Sequence, residues 1–188
     1  MRSANSMWPS FQDEPLIIDA VAAAEGRIGM TACPGRKYLA SLTAPAWCRN
    51  LQDDLGSIRQ WGASTLVTLL ETQELKWLGV AALPRLARQC GLSWQHLPIM
   101  DGHAPDAGFR AAWTEVGADL RARLCRGESL VLHCRGGLGR TGTITAQLLI
   151  ELGECPPQEA IARVRAARPG AIEAEEQEAY LMNLLPPH

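Results

Sequence analysis

The sequence predicts an α/β fold in which helices sandwich one mixed or mostly parallel sheet. Three observations lead there. Short runs of β-branched and aliphatic residues alternate with stretches whose apolar residues recur every three or four positions. The run Leu130-Val131-Leu132 is apolar at consecutive positions, as a strand covered on both faces must be. Helical patterns fill the last quarter, where Pro156-Pro157 opens one of them. With 188 residues, 47% of them apolar, the chain can bury a core without disulfides or metal. No repeat, linker or second domain breaks the pattern, so residues 1–12 are expected as an N-terminal extension and 13–188 as one domain.

Taken in order, Leu16-Ile17-Ile18 and residues 27–32 read as two strands joined around Gly26, followed by the loop Cys33-Pro34-Gly35-Arg36-Lys37. Residues 50–61 form a helix with Leu51, Leu55 and Ile58 on one face, stopped by Gly62. Residues 65–70 are a buried strand, 84–89 a helix ended by Gly91, and 92–97 a further strand. Phe109, Trp113, Val116, Leu120 and Leu124 recur at helical spacing over 106–126. After the 130–132 strand, Ile144, Leu148 and Leu152 mark a helix, residues 157–167 another, and 173–184 the last.

Eighteen Lys and Arg against twenty Asp and Glu leave a net charge of −2. No global positive field exists to hold nucleic acid or an anionic membrane, so neither is expected as a partner. The first residues lack the apolar run of a signal peptide, and no stretch reaches the roughly 18 apolar residues of a membrane span; a cytoplasmic location is the expectation. The six cysteines stand singly, without Cys-x-x-Cys pairs or His clusters, which points to free thiols and no metal. Five of them are expected in or near apolar packing. Cys134 differs.

It opens the stretch His133-Cys134-Arg135-Gly136-Gly137-Leu138-Gly139-Arg140-Thr141-Gly142, between the apolar strand and the next helix. Three glycines in four positions let the backbone turn its N–H groups into one concavity, and the helix N-terminus adds donors and partial positive charge there. The main chain of Arg135, Gly136, Gly137, Leu138, Gly139 and Arg140 should therefore cradle an oxyanion. Arg140 can offer its planar fork to two phosphate oxygens. The same dipoles favour thiolate over thiol at Cys134, making it an exposed nucleophile aimed at phosphorus. Thr141 could donate its hydroxyl to that sulfur. His133 could fix the loop through its ring or simply be a core histidine bonded to backbone.

These residues resemble the signature of the protein tyrosine phosphatase superfamily, His-Cys-x5-Arg-[Ser/Thr], at every fixed position. The resemblance implies a single-domain cysteine phosphatase fold, no cofactor or metal, and hydrolysis of phosphomonoesters through a phosphocysteine. Such chemistry needs a proton for the departing oxygen. The run Pro98-Ile99-Met100-Asp101-Gly102-His103-Ala104-Pro105-Asp106 looks like the superfamily's acid loop, with Asp101 four residues before a proline, although its Trp-Pro is replaced by Ile99-Met100. Asp106 is the rival acid and also reads as a helix cap. A protonated Asp101 and an ionised Cys134 must coexist, so the rate should peak on the acidic side of neutrality. Together with Met30-Thr-Ala-Cys-Pro-Gly-Arg-Lys and Arg168-Pro-Gly-Ala-Ile-Glu-x3-Gln177, these segments resemble the kinase-associated phosphatase branch, the cyclin-dependent kinase inhibitor 3-like members of the dual-specificity group. That analogy implies that Gln177 positions the hydrolytic water. Arg36 and Lys37 could meet a second acidic group of the substrate, or be solvated loop cations.

The expected substrates are phosphotyrosine, phosphoserine or phosphothreonine on proteins, or small phosphoesters, with phosphate, vanadate or sulfate as ligands of the loop. Other readings fit less of the sequence. Gly137-Leu-Gly139-Arg-Thr-Gly142 matches the dinucleotide fingerprint, but a helix, not a second strand, follows. An arsenate-reductase-like oxyanion enzyme would need neither the Asp101 loop nor the Arg-Thr step. A non-catalytic phosphoprotein-binding module would dispense with Cys134, Arg140 or the acid, and all are present.

Overall fold

The computed structural model describes residues 15–38 and 47–184. The expected N-terminal extension, residues 1–12, lies outside them. Five strands form the central sheet: β1 (Asp19–Ala23), β2 (Gly26–Thr31), β5 (Ala63–Thr68), β6 (Ser93–His96) and β7 (Ser129–His133), in the order β1-β2-β7-β5-β6. Only β1 runs antiparallel to its neighbour. The sheet is thus mixed and mostly parallel, as expected. A separate two-residue pairing joins β3 (Lys37–Tyr38) and β4 (Trp47–Cys48).

Helices cover both faces, and the strands distribute their side chains accordingly. On one face, Ile28, Met30, Val67, Leu130 and Leu132 meet α4 (Ala107–Cys125), α5 (Gly139–Glu151), α6 (Pro157–Ala167) and α7 (Glu175–Met182). On the other, Leu66 and Val131 meet α1 (Leu51–Gln60), α2 (Thr72–Trp77) and α3 (Leu83–Gln89). The helix α5 runs through the middle of this packing and is buried on every side from Gly139 to Ile150, which explains its aliphatic content.

Several expectations need correction. The first strand is Asp19–Ala23, not Leu16-Ile17-Ile18. Ile17 is exposed, while Leu16 and Ile18 pack against the α1 side of the core as a strap before the strand. The turn lies at Ala24-Glu25, ahead of Gly26, with Ala24 at φ 50. The helix α2 follows β5 directly and had no counterpart in the sequence reading. Of the five cysteines expected in or near apolar packing, Cys125 is exposed at the end of α4; all six are free thiols.

The parallel register positions the site. Thr31 and Thr68 both lie opposite His133, so β2, β5 and β7 end in one layer. Whatever follows each strand emerges at the same carboxyl edge, the place where open α/β sheets hold ligands.

Candidate active site

Cys134 is the first residue past β7, and α5 begins five residues later. Its Sγ accepts a hydrogen bond from Gly137 N at 3.2 Å, and the residue is only 4% exposed. The sulfur therefore sits at the bottom of the loop rather than at an exposed mouth. Of the three loop glycines, Gly137 alone has a positive φ, +74, and a Cβ there would lie 2.3 Å from Thr31 O. Gly136 has open space around it. Gly139 is crowded by Glu173 and Gln177 instead. The glycine run is thus one conformational requirement and one packing requirement, not three of the first kind.

The loop is braced from outside. Arg168 donates from Nε to Gly137 O (2.6 Å) and from Nη2 to Gly136 O (3.1 Å), and its Nη1 pairs with Asp19 on β1 at 2.6 Å. Arg36 Nη1 and Cys33 N both donate to Arg135 O, at 3.0 and 3.2 Å. With these carbonyls tied outward, the intervening amides are turned the other way. The amide of Gly139 is an exception, since it donates to Glu173 Oε2 at 2.8 Å. A carboxylate at the N-terminus of α5 complements the helix dipole, and it takes one amide that the sequence reading had assigned to the oxyanion.

Arg140 is 1% exposed, and both terminal nitrogens of its fork have acceptors, whereas its buried Nε has none among the described residues. Nη1 donates to Glu74 Oε2 (2.6 Å) and Ile99 O (2.9 Å), and Nη2 to Glu74 Oε1 (2.9 Å) and to Asp101 Oδ1 (2.9 Å). Burial works against its charge, but the Glu74 hydrogen bonds, with Cys134 and Asp101 nearby, outweigh that and hold the guanidinium above its ordinary pKa. Asp101 Oδ2 in turn meets Arg135 Nη2 at 3.0 Å. The side chain of Arg135 is more than half exposed, but it curls back over the loop to the acid. Cys134, Arg140 and Asp101, three residues drawn from two distant segments, are thereby brought together.

His133 is fully buried between the strand ends. Trp94 Nε1, a donor only, gives its proton to Thr68 Oγ1 (2.9 Å); Thr68 lies 2.8 Å from His133 Nε2, and His133 Nδ1 lies 3.3 Å from Cys134 O. The chain of donors closes if Nδ1 carries the proton, which assigns the tautomer. Burial lowers the His133 pKa to about 4, so the ring is neutral near pH 7. Thr141 makes no bond to the sulfur. Its Oγ1 is buried without a partner among the described residues, and Sγ accepts from the Gly137 amide instead.

The remaining expected residues divide. Gln177 is 1% exposed; its Oε1 accepts from Glu173 N and Ala174 N, and its Nε2 donates to His103 O at 3.2 Å, so it ties α7 to the acid loop. Asp106 caps α4 through Phe109 N at 2.7 Å. Lys37 lies against Gly79, away from the loop, whereas Arg36 braces it. Cys33 is buried, which pushes its thiol pKa far up. Glu74, Arg168, Glu173 and Glu176 are site residues that sequence reasoning missed. Glu71-x-x-Glu74 after an apolar strand is a capping-box spacing that marks α2, and Arg168 and Glu173 lay in a segment read only for its resemblance.

A family model described as "Polymorphic toxin system, DSP-PTPase phosphatase" matches residues 40–154. The chain belongs to the dual-specificity protein phosphatases. This phosphatase is 33% identical over 156 residues to human cyclin-dependent kinase inhibitor 3, an alignment that covers 82% of this chain and 69% of the relative. Its fold matches a crystal structure of kinase associated phosphatase, in which the catalytic-site cysteine is substituted by serine, with a TM-score of 0.78, 30% identity, and coverage of 90% of this chain and 94% of that one. A structure of Tk-PTP in the active form is 25% identical at a TM-score of 0.64, over 85% of this phosphatase and 94% of that chain. The protein is a cysteine-dependent protein phosphatase, a hydrolase of phosphoric monoesters.

Proposed function

We propose that this phosphatase hydrolyses phosphotyrosine, and phosphoserine or phosphothreonine where the side chain reaches the sulfur, through a phosphocysteine on Cys134. The observation that carries the reading is the convergence of Cys134, Arg140 and Asp101 on one loop at the carboxyl edge of the sheet. The phosphate dianion replaces Asp101 on the outer nitrogen of Arg140 and takes the inward loop amides. Cys134 sulfur, as thiolate, attacks phosphorus in line. The P–O ester bond breaks as Asp101 transfers its proton to the leaving oxygen, and the phosphoryl group remains on sulfur. Asp101, now a carboxylate, then accepts a proton from water as that water attacks phosphorus, the P–S bond breaks, and inorganic phosphate leaves with the thiolate restored. Gln177, packed beside Gly139, orders that water in this scheme, and the Gly137 amide stabilises the departing sulfur. Arg36 meets an acidic group beside the phosphorylated residue.

Cys134→Ser is expected to abolish turnover of an aryl phosphate while vanadate or tungstate still binds, and Asp101→Asn to lower kcat by about 10²–10⁴. Asp106→Asn should leave kcat within about threefold, its effect confined to the α4 cap. A Cys134→Ser variant that turns over, or an Asp106 variant that loses more activity than the Asp101 variant, overturns the scheme. A phosphopeptide panel on the wild type and on the Cys134→Ser trap reads the side-chain preference. Among the described residues no helix is long and apolar enough to cross a membrane, and we place the enzyme in the cytoplasm.

A further inference from the structure

Asp101 is held by two guanidinium groups through different oxygens: Arg140 Nη2 meets Oδ1 at 2.9 Å, and Arg135 Nη2 meets Oδ2 at 3.0 Å. The two arginines are not equivalent. Arg140 is buried and fixed by Glu74 and Ile99, and in the proposed scheme it takes the substrate phosphate. Arg135 occupies a variable position of the signature, and its side chain is 58% exposed.

The backbone that carries Asp101 is tied down independently of both ion pairs. Ile99 N donates to Leu69 O at 3.1 Å, and His103 N closes a turn on Met100 O at 3.1 Å with Gly102 at φ +78. From the far side, Gln177 Nε2 holds His103 O, and the Glu176 carboxylate meets both His103 Nδ1 (3.0 Å) and Ala104 N (3.2 Å). What the ion pairs decide is therefore the side-chain rotamer of Asp101 and the identity of the oxygen that faces the loop.

We propose that Arg135 is a positioning residue for Asp101, holding Oδ2 so that the transferable proton rides on Oδ1, the oxygen on the Arg140 side. The inference rests on Asp101 being the general acid. Its chemistry is direct: a guanidinium only donates, so both oxygens are acceptors while Asp101 bridges the two arginines, and once phosphate has taken Arg140 the oxygen still bonded to Arg135 is kept as acceptor and the acid's single proton sits on Oδ1. When phosphate takes Arg140, Oδ1 is released within reach of the leaving oxygen, while Oδ2 stays on Arg135 and keeps the side chain from swinging into solvent. In the second half-reaction the same oxygen, now unprotonated, receives the proton of the attacking water.

The test is the dependence of kcat on leaving-group acidity, measured over a series of aryl phosphates from acidic fluorinated phenols to phenol itself. A well-placed acid flattens that dependence, because poor leaving groups depart as neutral phenols. Wild type is expected to be nearly flat and Asp101→Asn steep. Arg135→Met should fall between them, losing at least about tenfold more kcat on phenyl phosphate than on the most activated ester, and Arg135→Lys should recover most of the difference. Vanadate binding to each variant verifies that the loop is formed. An Arg135→Met slope equal to wild type, or an effect confined to KM, overturns the positioning role while leaving Asp101 as the acid. A flat slope in Asp101→Asn would instead overturn the assignment of the acid itself.

Discussion

Arg140 is among the largest fully buried side chains of the protein, an uncommon place for a guanidinium unless it is paired. Glu74 supplies that pairing in bidentate form, and removing one member of a buried pair leaves the other charge uncompensated. Glu74→Ala is therefore expected to destabilise the fold by about 3–5 kcal/mol and to weaken vanadate binding, measured by urea denaturation and by titration of the anion. A loss below about 0.5 kcal/mol would mean that Asp101 and the Ile99 carbonyl alone suffice. Cys134 and Arg140 were legible in the sequence because the nest, the nucleophile and the fork are specified within one contiguous run whose chemistry is local. Glu74 was not, since its partner lies 66 residues away, and nothing in the composition of either segment announces that distance. The outward carbonyl ties of Arg168 were hidden for the same reason.

At the level of elements, the strands were legible where burial on both faces forces consecutive apolar residues, as in β5 and β7. The first strand was misplaced by three residues because Leu16-Ile17-Ile18 has the stronger apolar signal, whereas Asp19–Ala23 is small and weakly β-forming and owes its conformation to pairing with β2. The six-residue helix α2 is too short to show a period, and capping rather than amphipathicity defines it. The phosphate loop shows how unequal neighbouring glycines can be. Gly136→Ala should change stability by less than about 0.5 kcal/mol, because nothing lies within 4 Å of the new methyl. Gly137→Ala should cost at least about 1–2 kcal/mol from its positive φ alone, and the clash with the Thr31 carbonyl adds to that. Thermal melting with and without vanadate separates the two; equal effects would contradict the geometry.

For the whole molecule, the centre of the sheet carries a pH liability. His133 titrates near 4 in the folded state against about 6.5 when unfolded. Between those values the unfolded chain binds the proton and the native one does not, so this stabilisation is complete above pH 6.5 and is lost as pH falls toward 4. The loss attributable to His133 amounts to about 3 kcal/mol. Urea midpoints for wild type and His133→Asn at pH 7 and pH 4.5 measure it: the variant, though weaker at neutral pH, should decline less on acidification, and parallel declines would refute the assignment.

The bracing of the loop also has a temporal side. Arg36, Glu74, Ile99, Arg168, Glu173 and Gln177 all bear on the nest or on the acid above it; the first three precede Cys134 in the chain, so a polypeptide emerging from the ribosome carries its nucleophile with half of these walls and gains Arg168, Glu173 and Gln177 only later. Hydrolytic competence can begin only after the segment through Gln177 has emerged and docked, which makes the onset of activity during synthesis a clock for completion of the fold.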